Sequence, residues 1–152
     1  MKNLLKKQKG FTIIEVLIVL AIAGLIMLIV FLAVPALQRN SRNTQRRNDV
    51  STYLGAVNEF VANNNGKVPA SAADVTTING LANLGLLTEP TALTTPATQT
   101  AAVGVDTFQL LVAARCDPNS NGDTLGGSSR QIAVRYSVEN STGAAVEQCQ
   151  ES

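Results

Sequence analysis

A glutamate inside an apolar segment is the first residue of this chain whose type and position could do chemistry. Glu15 lies within the run 11–37, which is otherwise almost entirely apolar. An ionised side chain at the centre of a bilayer costs about 3 kcal/mol by insertion scales, so a partner is expected. If the chain were cut after Gly10, the new α-amino group of Phe11 would be a cation at the same depth. The spacing therefore predicts a charge pair between Phe11 and Glu15, within one helix or between neighbouring copies.

The apolar run that positions this glutamate is predicted to cross a membrane. Residues 11–37 would form a helix about 40 Å long, which exceeds the hydrocarbon thickness of about 30 Å. The preceding segment 1–10 has no acidic residue and carries these lysines: Lys2, Lys6, Lys7 and Lys9. Basic residues stay on the cytoplasmic side, so we expect a single-pass membrane protein with a cytoplasmic N-terminus and an exported remainder.

The order of these features resembles the N-terminal signal of type IV prepilins and pseudopilins. The matching features are a Lys-rich leader peptide at 1–10, the sequence Gly10-Phe11-Thr-x-x-Glu15 and a long apolar run. The resemblance implies that a prepilin peptidase cleaves between Gly10 and Phe11 and N-methylates Phe11. It also implies that Glu15 neutralises the Phe11 amine of an adjacent subunit when the pilus assembly machinery adds subunits to a fibre.

Two simpler interpretations of the same segment remain as alternatives. A secretory signal peptide is also basic and then apolar, and Ala21-Ile22-Ala23 matches its A-x-A cleavage pattern. The apolar run continues to Val34, however, and a glutamate is unfavourable in the core of such a signal. An uncleaved membrane anchor would explain the length of the run but not Glu15. The prepilin-type interpretation is therefore favoured.

The segment 38–66 is predicted to continue the helix as an amphipathic stem. Its apolar residues recur at helical spacing: Val50, Leu54, Val57 and Val61. Gly66 followed by Pro69 is a typical stop signal, which places the end of the helix at about Asn64. One face of this stem is expected to pack on a sheet.

The start of the stem is basic, whereas residues 67–152 are net acidic. The arginines fall at helical spacing near the predicted membrane exit: Arg39, Arg42, Arg46 and Arg47. This basic stripe could bind anionic lipid heads, pair with acidic regions of neighbouring subunits, or form a merely solvated face. A nucleic-acid partner is not favoured, because the acidic remainder leaves too small a basic surface for phosphate binding.

The segment 67–105 is predicted to connect the stem and the sheet rather than to form a core. Ser71 and Asp74 have the spacing of a capping box and could start a short helix. A second brief helical face is predicted from Leu81, Leu84 and Leu87. The Thr- and Pro-rich stretch 88–100 is expected to be an exposed loop.

The segment 106–152 is predicted to form a small antiparallel sheet. Residues 108–115 and 131–138 alternate between apolar and more polar side chains, as half-buried strands do. A turn signal at 140–143 precedes a weaker third strand at 144–150. The chain is therefore predicted to be α+β, with a long N-terminal helix packed on a small antiparallel sheet, and the resemblance implies the pilin fold.

The only cysteines, Cys116 and Cys149, are predicted to form one disulfide, because the region that contains them is expected to be exported. This feature resembles the disulfide-bounded C-terminal region of type IV pilins. Free thiols are the alternative.

Directly after the first cysteine, the segment DPNSNGD has part of the pattern of a calcium-binding loop. The candidate ligands are Asp117, Asn119, Asn121 and Asp123. Ser128 replaces the glutamate expected at the last position of such a loop. Asn, Asp, Gly and Pro also form ordinary hairpin loops, so calcium is the weaker of two interpretations and no other cofactor is expected.

No set of residues indicates an enzyme, since the chain has no histidine and no recognisable nucleophile or phosphate-binding motif. The leading hypothesis is a structural subunit of a type IV pilus, which polymerises through its N-terminal helix into a homo-oligomeric helical fibre for adhesion, twitching motility or DNA uptake. It would lie in the membrane before assembly and in a cell-surface pilus afterwards. The alternatives are a pseudopilin of a type II secretion or competence system, and a membrane-anchored binding domain that does not polymerise.

Overall fold

The computed structural model describes residues 10–95 and 103–152. The first helix, α1, spans Ile13–Asn63, which confirms the long N-terminal helix. It ends where the predicted stop signal lies, since Asn65 and Gly66 both adopt positive φ angles and the Gly66 amide donates to the carbonyl of Val61 at 2.8 Å. The leader lysines lie outside the described residues. The chain forms two units, one ending at Gln38 and one running from Arg39 to Ser152.

In the first unit, α1 exposes apolar side chains all around its surface. Phe11 is 91 % exposed, and large aliphatic and aromatic residues as far as Leu37 are exposed as well. The helix is long and apolar enough to span a membrane. So much apolar surface is unfavourable in water, so this part of the helix requires a lipid or protein environment.

The second unit, the head, contains the rest of α1, a short helix and two sheets. Helix α2 spans Ala72–Leu81. The strands are β1 Leu93–Thr94, β2 Phe108–Val112, β3 Ala114–Cys116, β4 Thr124–Gly126, β5 Ile132–Glu139 and β6 Ala145–Glu151. The main sheet has the order β1-β2-β5-β6, and β3 pairs with β4 in a separate two-stranded sheet.

The main sheet is mixed rather than purely antiparallel. β2 pairs with β5, and β5 with β6, in antiparallel fashion as predicted. The correction is β1, which pairs in parallel with β2 through Leu93 and Leu110. A two-residue strand carries too little pattern to be recognised in a Thr- and Pro-rich stretch. Residues 96–100 of the predicted exposed loop lie outside the described residues.

The core of the head lies between the stem and the main sheet. The buried stem residues include Val50, Tyr53, Leu54, Val57 and Phe60. They pack with sheet residues such as Leu110 and Val134, and the rings of Tyr53 and Phe108 meet edge to face with centroids 4.7 Å apart. The predicted amphipathic stem is therefore confirmed.

The segment after the stem contributes to this core, so its prediction as a mere connection was wrong. Val75 and Ile78 on α2 are fully buried, and Leu87 joins the same cluster. The capping box of Ser71 and Asp74 at the start of α2 is confirmed. The predicted second helical face is not formed, because α2 ends at Leu81 and the chain beyond it is irregular.

The predicted strand 108–115 is two consecutive strands, β2 and β3. Ala113, the residue between them, adopts a φ of +51° and interrupts the extended backbone. β5 was expected to expose one face, but Ala133, Arg135 and Ser137 on that face are buried. The reason is a second small cluster, in which Leu111 and Ala133 pack beside the cysteines. The central strand is thus covered on both faces.

Candidate functional site

The start of α1 contains a capping box built from Thr12 and Glu15. The Thr12 carbonyl accepts from the Val16 amide, so Thr12 is the N-cap. The amide and the hydroxyl of Thr12 both donate to Oε2 of Glu15, at 2.8 Å each, and the Glu15 amide donates back to the Thr12 hydroxyl at 3.3 Å. The carboxylate therefore satisfies donors at the positive end of its own helix.

Thr12 was missed as a partner of Glu15 in the sequence, although the spacing Thr-x-x-Glu before an apolar run is the signature of this motif. Gly10 and Phe11 precede the helix and are exposed. The bond between them is therefore outside helical structure, as an extended protease substrate requires. Their roles in cleavage and methylation remain predictions.

Arg42 and Arg46 bind the same carboxylate inside the head. Arg42 forms a two-pronged contact with Glu139, with Nε to Oε1 at 2.9 Å and Nη2 to Oε2 at 2.6 Å. Arg46 reaches the same carboxylate, with Nη1 at 2.9 Å from Oε1. The hydrogen bond from Arg42, with a further contribution from Arg46, lowers the pKa of Glu139 to about 2.

The predicted outward contact is therefore wrong for Arg46, which is only 2 % exposed. Its Nε donates to the carbonyl of Val105 at 2.6 Å, and its Nη2 lies 3.2 Å from Oδ1 of Asp106. Helical spacing alone did not show that the carboxylates of Glu139 and Asp106 and the carbonyl of Val105 would lie opposite this side chain. Arg39 is half-buried, Arg47 is exposed and the Arg42 side chain is 42 % exposed, so an external role remains a prediction for these three residues.

Asp49 is a second buried charge on the stem, and sequence reasoning missed it. Its carboxylate accepts from the amides of Gly85, Leu86 and Leu87 at 2.7–3.1 Å and from the Gln45 side chain at 2.8 Å. Burial raises the pKa of Asp49, but these hydrogen bonds outweigh it and the net pKa is lowered. The available signal was an acid directly beside Val50 on the apolar face of the stem.

The structure joins Cys116 to Cys149 in a disulfide that ties β3 to β6. Beside it, the buried Arg135 donates to the carbonyl of Gly122 at 2.7 Å and pairs with Glu147. The loop between β3 and β4 is therefore held to the sheet at its base.

The candidate calcium ligands make contacts within this loop. Oδ1 of Asp117 accepts from the Asn119 amide at 2.8 Å, and Oδ2 of Asp123 accepts from the Ser120 hydroxyl at 2.6 Å. Asn121 is exposed. Within residues 10–95 and 103–152, no three acidic, histidine or cysteine side chains are grouped to hold a metal ion. Calcium binding stays a hypothesis.

Comparison with known proteins identifies the N-terminal region. Residues 5–31 match the family model described as the prokaryotic N-terminal methylation motif, the signal of type IV prepilins. The match includes Gly10, Phe11, Thr12 and Glu15. No curated protein and no solved structure gives a significant match to the chain.

Proposed function

We propose that this chain, which carries a type IV prepilin signal, is a structural subunit of a type IV pilus. The observation that carries the proposal is the methylation motif at the start of a helix whose apolar surface is exposed on all sides. The chain would be the substrate of a prepilin peptidase, which cleaves between Gly10 and Phe11 and methylates the new amine. The protein itself would perform no catalysis.

The physical case for polymerisation begins with the exposed helix. Before assembly, the segment 11–37 would be stored in the membrane, where its apolar side chains are stable. In a fibre, the same side chains would be covered by the helices of other copies. Lipid and protein are equally apolar, so packing and polar contacts must select the fibre. Glu15 and the amine of Phe11 supply an opposite-charge pair in a medium where an isolated charge is costly.

The head would enter the fibre as one folded unit. The stem is fixed to the sheet by apolar packing and by the buried charges Arg46 and Asp49. The disulfide and Arg135 fix the loop between β3 and β4. A durable head suits a subunit on the outside of a fibre. The motif is shared with pseudopilins, and the disulfide supports the pilus subunit over that alternative.

The test compares wild-type chain with Glu15→Ala in cells whose own copy has been deleted. We expect wild-type cells to carry fibres whose subunits begin at methylated Phe11 by intact mass, and Glu15→Ala cells to keep mature chain in the membrane without fibres. Glu59→Ala, at an exposed position on the stem, is the matched control and should form normal fibres. Unchanged fibres with Glu15→Ala, or a mass that includes residues 1–10, would count against the proposal.

A further inference from the structure

The two oxygens of the Glu15 carboxylate differ in their hydrogen bonding. Oε2 accepts from both the amide and the hydroxyl of Thr12. Oε1 has no hydrogen-bond partner among residues 10–95 and 103–152. One oxygen is thus held on its own helix, while the other is open.

We propose that Thr12 is a positioning residue for polymerisation, which holds Glu15 by Oε2 so that Oε1 is presented to the Phe11 ammonium of an incoming copy. This inference rests on the proposed function. It assigns to Thr12 a role that depends on its hydroxyl group rather than on its size.

The donors that hold Glu15 survive processing. The N–H group of Thr12 belongs to the peptide bond between Phe11 and Thr12. This peptide bond remains when the bond between Gly10 and Phe11 is cut. Methylation acts on the α-amine of Phe11 and leaves this amide unchanged. The capping box can therefore be present in the precursor, in the mature membrane-stored chain and during docking.

Holding one oxygen helps docking in two ways. In a water-poor medium, the two donors and the partial positive charge of the helix start replace part of the lost hydration of the carboxylate. In addition, a glutamate side chain fixed beforehand loses less rotamer freedom when it binds its partner. Both effects favour incorporation of the subunit into the fibre.

The test uses two substitutions that separate the hydroxyl from the shape of Thr12. Thr12→Val keeps the branched side chain and the amide but removes the hydroxyl, whereas Thr12→Ser keeps the hydroxyl. Each full-length variant is co-expressed with wild-type chain, and peptide mass spectrometry gives its ratio to wild type in sheared fibres and in membranes. Incorporation is the fibre ratio divided by the ratio of mature chains in the membrane, so a change in cleavage rate does not enter it.

We expect incorporation of Thr12→Val to fall about fivefold, the factor that corresponds to ordering one additional flexible side chain on docking. Thr12→Ser should be incorporated like wild type, and the amount of mature Thr12→Val chain in the membrane should be unchanged. Equal incorporation of Thr12→Val and wild type, or equal losses for both variants, would overturn the role of the hydroxyl while leaving the pilus proposal intact. If wild-type chain forms no fibres, it is the proposed function that fails.

Discussion

Replacing the buried Asp49 by asparagine should destabilise the head strongly without changing its shape. The two donors on Oδ2 are the amides of Leu86 and Leu87, and the donors on Oδ1 are the Gly85 amide and Gln45. An asparagine keeps one accepting oxygen and places an NH₂ group, itself a donor, against the other pair. Hydrogen bonds to a charged group contribute about 1.5–3 kcal/mol each, and a buried donor left without a partner costs about 1–3 kcal/mol. We therefore expect Asp49→Asn to lower the free energy of unfolding by about 3 kcal/mol.

The assay is urea unfolding of the mature full-length chain in detergent, followed by near-ultraviolet circular dichroism. The chain has two tyrosines, Tyr53 and Tyr136, and both lie in the core of the head, so the signal reports on this unit rather than on the membrane helix. With few aromatic residues and no tryptophan, the background is low.

The matched control is Asp74→Asn, which makes the same substitution at the exposed start of α2. Asp74 also accepts from two backbone amides, those of Ala70 and Ser71. Water can replace a lost partner there, so the expected loss is about 1 kcal/mol, as for an ordinary helix cap. Equal losses for the two variants would refute the reasoning that burial makes the Asp49 contacts decisive.

Two further predictions concern the pairs that hold the head together. Because the pKa of Glu139 is about 2 in the folded chain, against a reference value of 4.5, its pairing stabilises the head above the unfolded pKa, and this stability is lost as the pH falls from 4.5 towards 2. Unfolding titrations between pH 2 and 6 should therefore show a shallower acid limb for Glu139→Gln than for wild type, and identical slopes would contradict the assignment. Reduction of the disulfide, whose cysteines are 33 positions apart, should lower the free energy of unfolding by about 4 kcal/mol in the loop-entropy model. A variant with both cysteines replaced by alanine should not respond to the reductant, and a wild-type chain equally stable in both redox states would argue against a structural role of the bond.

The long helix and the stem face could be read from the sequence because each rests on a pattern many residues long. The length and apolar composition of the run from Phe11 to Leu37 predict a helix of membrane length. Val50, Leu54 and Val57 repeat a helical spacing, and the tertiary structure keeps this helix. The Gly66 stop and the capping box at Ser71 are local backbone motifs, so they were also predictable.

Apart from the local capping box of Thr12 and Glu15, most of the missed features depend on contacts with residues distant in sequence. β1 pairs with β2 through Leu93 and Leu110, and two residues carry no period. Val75 and Ile78 were not recognised as core residues, because a ten-residue helix has room for few buried positions. The second buried face of β5 depends on a cover from β3 and the disulfide, which strand alternation cannot show.

Two buried charges on the stem, Arg46 and Asp49, have a structural role in the head. Arg46 belongs to the basic stripe, whose outward role was predicted because its partners in the sheet region could not be seen in the sequence. Apolar packing alone could tolerate sliding of the stem by one helical turn, since similar side chains recur at that spacing. Arg46 bonds to Val105 and to Glu139, and Asp49 bonds to the irregular segment that follows α2. A slip of one turn would separate both from their partners and leave charges buried without compensation, at a cost of about 3–5 kcal/mol for each broken pair. These contacts therefore select one register of the stem on the sheet within the head.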